Sequence, residues 1–521
     1  MRHSALALAW LFVLACSAPP RATTAPTDRL ATRAAEVHAA FRPDAALETV
    51  RYVDRFFRVR GNEGYQKTLE RVQTELLRGG FDREDVRRLE LGPERPTWTP
   101  RAARLTLNGA PLIAFEDETG VDRATLLVGS DALHGELEVV RAEDVREGLD
   151  ARGKVILGEG SPRALFEELV APSGAVGLLV RNLEPYHAPD RYPESAQFGY
   201  LPEHETPAFG FSLSDADHRA LRGATETEAA RVRVDIEVAR GSSRATALEA
   251  RIPGRDPDAG AIVFVAHADE PGANDNASGV ATLAELALAL RGRSMRRTLV
   301  FLWGQEMEVS RAWLEAPPVP VAAGLVLDMV GIDPDETGAP FLIERMPDPG
   351  AIWLRPPDAH TEWGATELRE EDLRGHFLDD LLAASARAVA ALDGPWRWRT
   401  NPFEGGSDHV PFLDRGLPAA LGWHFTDDAY HTTRDRFDRV SGREMRRVAA
   451  VFGAAAITMA SDDRETLRAA LDAGERQRMR ELRETASSWV REGRSTQAEE
   501  ARVLDAWRSW YEQARRSVDA W

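Results

Sequence analysis

The chain has 521 residues, 43% of them hydrophobic, enough for one large domain with one or two smaller modules. A formal net charge of −19 without any basic run excludes the electrostatic footprint of a nucleic-acid-binding protein. One cysteine, Cys16, allows no disulfide within the chain, so stability must come from packing.

Residues 1–22 read as a targeting segment. Arg2 and His3 precede an apolar stretch, Ala5 to Ala15, that is too short to span a bilayer as a mature helix. Val13-Leu14-Ala15-Cys16 has the form of a bacterial lipobox. It predicts an exported protein attached to a membrane through a lipid on Cys16, periplasmic or on the outer membrane, with the cell surface or the medium as further destinations. An ordinary signal peptide cleaved near Ala22 is the alternative. Residues 17–30, rich in Pro, Thr and Ala, read as a flexible tether.

Residues 30–115 open with helical spacing. Leu69, Val72, Leu76 and Leu77 share a face, Gly79-Gly80 stops the helix, and Thr97 to Leu107 looks extended. Residues 120–242 change character. Short apolar runs at 124–128, 155–157, 174–180 and 207–212, punctuated by Gly and Pro, predict a small β-rich insert, with extra strands of the main domain as the other reading. His204 and His218 stand alone in this segment and are expected at the surface. In 246–460, strand-like runs at 261–266, 298–303, 324–327 and 418–423 alternate with helix-like stretches at 277–290, 376–392 and 443–460. That alternation predicts an α/β fold with a mostly parallel central sheet sandwiched by helices. Residues 461–521 predict a C-terminal helical extension. Val503, Trp507, Trp510 and Tyr511 form one apolar stripe, expected to dock on the main α/β domain rather than meet a partner or a membrane.

Chemistry-bearing residues gather just past the strands. His267 ends the first run, Asp269 comes next but one, and the turn Pro271-Gly272-Ala273-Asn274-Asp275-Asn276 presents Asp275. Glu306 lies after the second run, Asp328 after the third, and His431 beyond the fourth. A parallel sheet brings such strand ends to one edge, where open α/β sheets bind ligands. Imidazole nitrogen and carboxylate oxygen together suit zinc.

Four stretches carry a family pattern: His267-Ala268-Asp269, Gly272 to Gly279 with Asp275-Asn276 inside it, Asp328-Met329, and Tyr430-His431-Thr432. Over roughly residues 30–460 the chain resembles the zinc aminopeptidase family, peptidase family twenty-eight of the metallopeptidases, whose members include leucyl aminopeptidases, glutamate carboxypeptidases and glutaminyl cyclases. Residues 120–242 resemble the protease-associated domain inserted in many members. The resemblance implies an exopeptidase that hydrolyses N-terminal peptide bonds with one or two zinc ions. It implies His267 and Asp328 on one ion, His431 on the second, Asp275 bridging them, and a cis Asp275–Asn276 peptide. Asp269 would hold the far nitrogen of His267, Tyr430 would donate to the tetrahedral oxyanion, and Asp435 would orient the His431 loop. Ser407, Asp408 and His409, in a further family-like stretch, would position loops on the substrate side.

The pattern breaks at one place. The family's Glu-Glu pair, in which the first is general base and the second a zinc ligand, is Glu306-Met307 here. A thioether is a poor zinc ligand beside oxygen and nitrogen. Three readings stand: Glu306 is the base and the second ion has fewer protein ligands; Glu306 is shifted to ligand and Gln305 takes the base position; or Glu308 reaches the metal. The break also admits an impaired, binding or receptor-like member of the fold. Glutaminyl cyclase is the remaining alternative. Trp396, Trp398 and Phe403 are candidates for contacting the substrate side chain.

Overall fold

The computed structural model describes residues 25–115, 125–205, 207–227 and 229–521. The targeting segment, Cys16 and most of the tether lie outside them. Thirteen strands, all in one mixed sheet, are found among the described residues. They are β1 (Val86–Leu107), β2 (Ala110–Phe115), β3 (Leu133–Arg141), β4 (Val155–Glu159), β5 (Gly177–Arg181), β6 (Phe209–Ser212), β7 (Arg231–Ile252), β8 (Ala261–His267), β9 (Leu299–Gly304), β10 (Val321–Leu327), β11 (Phe341–Glu344), β12 (Trp398–Asn401) and β13 (Ala419–His424).

The catalytic half is centred on β9-β8-β10-β13, four neighbours paired parallel throughout. β8 and β9 are buried at every residue, because helices cover both faces. Alternate residues go to opposite sides, as the period of a strand requires. Ile262, Phe264 and Ala266 join the core under helices Pro26–Ala40, Pro43–Val53, Glu63–Arg78, Ala277–Leu290 and Gly442–Ala460. Val263 and Val265 join the core under the helix Glu308–Glu315. β11 runs antiparallel to β13 at one margin, so the sheet is mixed rather than purely parallel.

The predicted strand and helix runs of 246–460 are present within a few residues of their expected ends. β11 and β12, four residues each, were too short to show a period in the sequence. The segment 120–242 differs more. Its strands β3 to β6 pair parallel and are interleaved with helices, among them Asp215–Thr227, so the segment is itself α/β. It grows from a ribbon of two 22-residue strands, β1 and β7, whose far ends pair with β2 and β3 and whose near end pairs with β9. Within 124–128, the described residues Leu126 and Val128 make only isolated bridges. His218 is not at the surface: helix Asp215–Thr227 packs it down to 3% exposure, 3.5 Å from Glu159. His204 is half-buried against the Phe166 ring.

The C-terminal helices Arg464–Arg491 and Gln497–Ala520 pack on the catalytic body. The stripe Val503, Trp507, Trp510 and Tyr511 is almost wholly buried in the main core. Trp521 closes the packing: its indole N–H donates to the Met459 carbonyl at 3.0 Å, and the Arg297 guanidinium lies 4.1 Å over its ring.

Candidate metal centre

The centre sits at the carboxyl ends of β8, β9, β10 and β13. His267 is the last residue of β8 and is 1% exposed. Its Nε2 lies 2.9 Å from Asp328 Oδ1 and 3.4 Å from Asp275 Oδ1. The other oxygen of Asp275 lies 3.0 Å from His431 Nε2. One carboxylate therefore spans two imidazoles. Around them the donor atoms fall into two groups, each tight enough for a cation: His267, Glu306 and Asp328, and Glu270, Asp275 and His431.

The turn that presents Asp275 is held from three sides. Asn276 caps helix Ala277–Leu290 by accepting the Gly279 N–H at 3.0 Å, and its amide donates to the Leu327 carbonyl at 3.1 Å. Gly279 is needed there, because a Cβ would collide with the Leu327 carbonyl oxygen. Asp435 accepts the backbone N–H groups of Asn274 and Asp275 at 2.7 and 2.9 Å, which ties this turn to the loop of His431. Gly272 lets that carboxylate approach, since a Cβ would overlap it. The Asp275–Asn276 peptide is cis.

Loops after β9 and before β13 complete the frame. Asp269 accepts the Glu306 N–H at 3.0 Å. It lies 3.6 Å from His267 Nδ1, too far for a hydrogen bond, so in this structure its direct hold is on the Glu306 turn. Asp408 accepts the Met307 N–H at 2.8 Å and the Ser310 hydroxyl. Ser407 donates its hydroxyl to Asp328 Oδ2 at 2.8 Å. His409 turns away to Glu344, at 2.9 Å. Glu308 is paired with Arg60 at 2.6 Å and does not enter the centre. The Tyr430 ring stacks on His431, with centroids 3.8 Å apart, and lines the metal pocket beside Trp423.

Two features of this geometry had no sequence signal. Glu270, three residues after His267, faces the other imidazole: its Oε2 lies 2.8 Å from His431 Nε2. Trp363 lines the metal pocket, the cleft outside it, and an apolar cavity beside it. That cavity, of about 700 Å³, also takes Met307 and Phe403. The other two aromatic candidates are elsewhere. Trp396 stacks on Phe341 and donates to Glu444, and Trp398 lines a separate cavity by the C-terminal helices.

The insert reaches the centre directly. The Phe198 N–H donates to the His431 carbonyl at 2.6 Å, and the Thr433 N–H donates to the Ala196 carbonyl at 2.9 Å. His187 Nε2 lies 3.0 Å from the Tyr430 carbonyl oxygen. Between insert and catalytic half runs a cleft of about 670 Å³, lined by Glu184, Tyr186, Gln197, Glu362, Trp363 and Tyr430 among others.

Four carboxylates and two imidazoles share this small volume, and among the described residues no Arg or Lys lines the pocket. Burial, then neighbouring charge, sets their protonation. Burial and the charge of Asp275 push the Glu270 carboxyl up to about 7. Burial drives Glu306 well above the usual carboxylate range. Burial would raise Asp275 too, but hydrogen bonding to His267 and His431 holds it far down. Such a set of buried carboxylates without a cation side chain is the arrangement a divalent ion satisfies.

Comparison with known proteins agrees with this geometry. Residues 248–456 match peptidase family M28.

Residues 248–456 form a peptidase M28 domain.

Solved structures share its fold. A peptidase M28 precursor from Shewanella amazonensis SB2B is 17% identical, covers 84% of this chain and 97% of its own, with a TM-score of 0.58. BSAP, a zinc aminopeptidase from Bacillus subtilis, is 16% identical over 81% of this chain and 96% of its own, TM-score 0.56. An aminopeptidase from Aneurinibacillus sp. strain AM-1 is 19% identical over 82% and 96%, TM-score 0.51. These alignments extend beyond the M28 match into the flanking segments.

Proposed function

We propose that the protein is an exported zinc-dependent aminopeptidase that hydrolyses the N-terminal bond of peptides. The observation that carries the reading is Asp275, spanning His267 at 3.4 Å and His431 at 3.0 Å between two three-donor groups. Nitrogen and oxygen donors without sulfur suit zinc. Bound there, such an ion acts as a Lewis acid toward a carbonyl and lowers the pKa of a water.

The chain's own residues supply the rest. Glu306 takes the proton of the attacking water and passes it to the leaving amine. Its backbone N–H is pinned by Asp269, and the next N–H by Asp408, so the carboxylate is aimed by two buried anchors. The Tyr430 side chain lines the metal pocket and stacks on His431, where its phenol is placed to donate to an oxyanion, charge that exists only in the transition state. Preference for an amino end comes from charge. Among the described residues neither the metal pocket nor the cleft is lined by Arg or Lys, the side chains that pair with a terminal carboxylate. Glu184 and Glu362 in the cleft favour an ammonium. Export and a lipid on Cys16 rest on residues 1–22 alone.

The test uses purified protein lacking the leader, zinc measured by elemental analysis, and a panel of aminoacyl-anilides with N-acetylated controls. Hydrolysis of free but not acetylated substrates is expected. Glu306→Gln should lower kcat by roughly 10²–10⁴-fold with zinc content unchanged. Cyclisation of Gln-peptides without hydrolysis, or full rate in Glu306→Gln, would refute the reading.

A further inference from the structure

Position 307 is where the M28 resemblance implies a second metal-binding carboxylate, and the chain has Met there. The structure shows where that side chain goes. Met307 lines the apolar cavity with Phe403, Val410 and Leu413, and it is absent from the wall of the metal pocket. Its neighbours do not replace it. Glu308 is held by Arg60 at 2.6 Å, and Glu306 groups with His267 and Asp328. The His431 side of the centre would then have only His431 and Asp275.

We propose that Glu270 is the third protein ligand on the His431 side, so that the carboxylate missing after β9 is supplied from the loop after β8. Glu270 Oε2 lies 2.8 Å from His431 Nε2, and its donor atom groups with those of His431 and Asp275. Glu270 is 8% exposed, and its one ion-pair partner among the described residues is that imidazole. A buried carboxylate kept for structure alone is held by an Arg or Lys, or by several backbone N–H groups. Glu270 has neither. A carboxylate aimed into a pocket beside the nitrogen of a ligand-type histidine is placed for a cation.

Charge leads to the same assignment. With Glu270, each group holds one imidazole and two carboxylates, counting Asp275 on the His431 side. Four carboxylates in all balance two divalent ions. Without Glu270 the centre carries three, and the second ion would sit on one carboxylate shared with the first. The chain order hides this. Glu270 is three residues from His267 and 161 from His431, but a left-handed backbone at φ +70° swings it across the centre.

This inference rests on the metallopeptidase reading, so the experiment separates the two. Metal-free wild type, Glu270→Gln and Met307→Ala are titrated with zinc against a chromophoric chelator. The same samples are loaded with cobalt for visible spectra, and melting is followed with and without metal. Wild type should bind two ions. Glu270→Gln keeps the shape and loses the charge; it should bind one ion with wild-type affinity and the other at least about 10–100-fold more weakly, the loss already typical of residues that only support a ligand. One of two cobalt signals should be lost. Metal-free Glu270→Gln should melt at the wild-type temperature or above it, because a repelling carboxylate is gone, while the rise in melting temperature on adding zinc shrinks. Met307→Ala should bind two ions. Two ions at wild-type affinity in Glu270→Gln, or loss of one ion in Met307→Ala, would overturn the assignment of Glu270. Wild type that binds no metal would instead overturn the metallopeptidase reading beneath it.

Discussion

Asp435 offers the most direct test of how the centre is held. It is 2% exposed, and its two oxygens accept the N–H groups of Asn274 and Asp275, at 2.7 and 2.9 Å, one bond per oxygen. Replacing it with Ala strands two buried donors. Each unsatisfied buried N–H costs about 1–3 kcal/mol, so Asp435→Ala should lower stability by about 2–6 kcal/mol. Asp435→Asn keeps one acceptor and turns an NH₂ toward the other N–H. It strands one donor and should cost about 1–3 kcal/mol by the same reasoning. Little relaxation can offset the loss, because Gly272 leaves no side chain there to fill the gap. The assay is denaturant unfolding of metal-free protein, which isolates the scaffold from the ion. Metal affinity, measured separately, should fall by roughly 10–100-fold in Asp435→Ala, because the residue aims Asp275 without touching the ion. Wild-type stability in Asp435→Ala, or an Asn variant as unstable as the Ala variant, would show that these two bonds do not hold the turn.

Two further outcomes are expected. Ser407→Ala removes the hydroxyl that donates to Asp328 Oδ2 at 2.8 Å; it should weaken metal binding by about tenfold or more while leaving the melting temperature of the metal-free protein close to wild type. Asp380 is pushed up to about 7 by burial, against the lowering influence of Arg478, Arg387 and Arg345. A carboxyl raised in the folded state binds more protons folded than unfolded between pH about 4 and 7, so stability falls as pH rises through that window and the penalty is full above it. Asp380→Asn should therefore gain melting temperature relative to wild type at pH 8 and show little gain at pH 4; an equal difference at both would refute the assignment.

Much of the centre was legible because its signals are local. Runs such as Ala261–Ala266 and Leu299–Trp303 are apolar on both faces, which marks buried parallel strands, and the residues just past such strands lie at one sheet edge. His267, Asp275, Glu306, Asp328 and His431 converge for that reason. The family-like stretch marks Asp408 as a loop-positioning residue, but that it holds Met307 and Ser310 depends on a contact about 100 residues away in the chain. The insert misled for a related reason. Short apolar runs between Gly and Pro look the same whether hairpins or helices join them, and β3 to β6 proved parallel.

By itself the sequence determined the longer strands and helices of the catalytic half and the strand-end residues that meet there, because each of these is set by residue type and spacing along a few turns or strands; the break at Met307 showed only against the family pattern. Only the tertiary structure decided that Glu270 faces His431, that Met307 sits in the apolar cavity, that Trp363 borders three spaces at once, and that Trp396 and Trp398 stand away from the centre. Those outcomes depend on the direction in which a loop leaves the sheet and on which distant side chain occupies the space beside it, and neither is a property of the local chain.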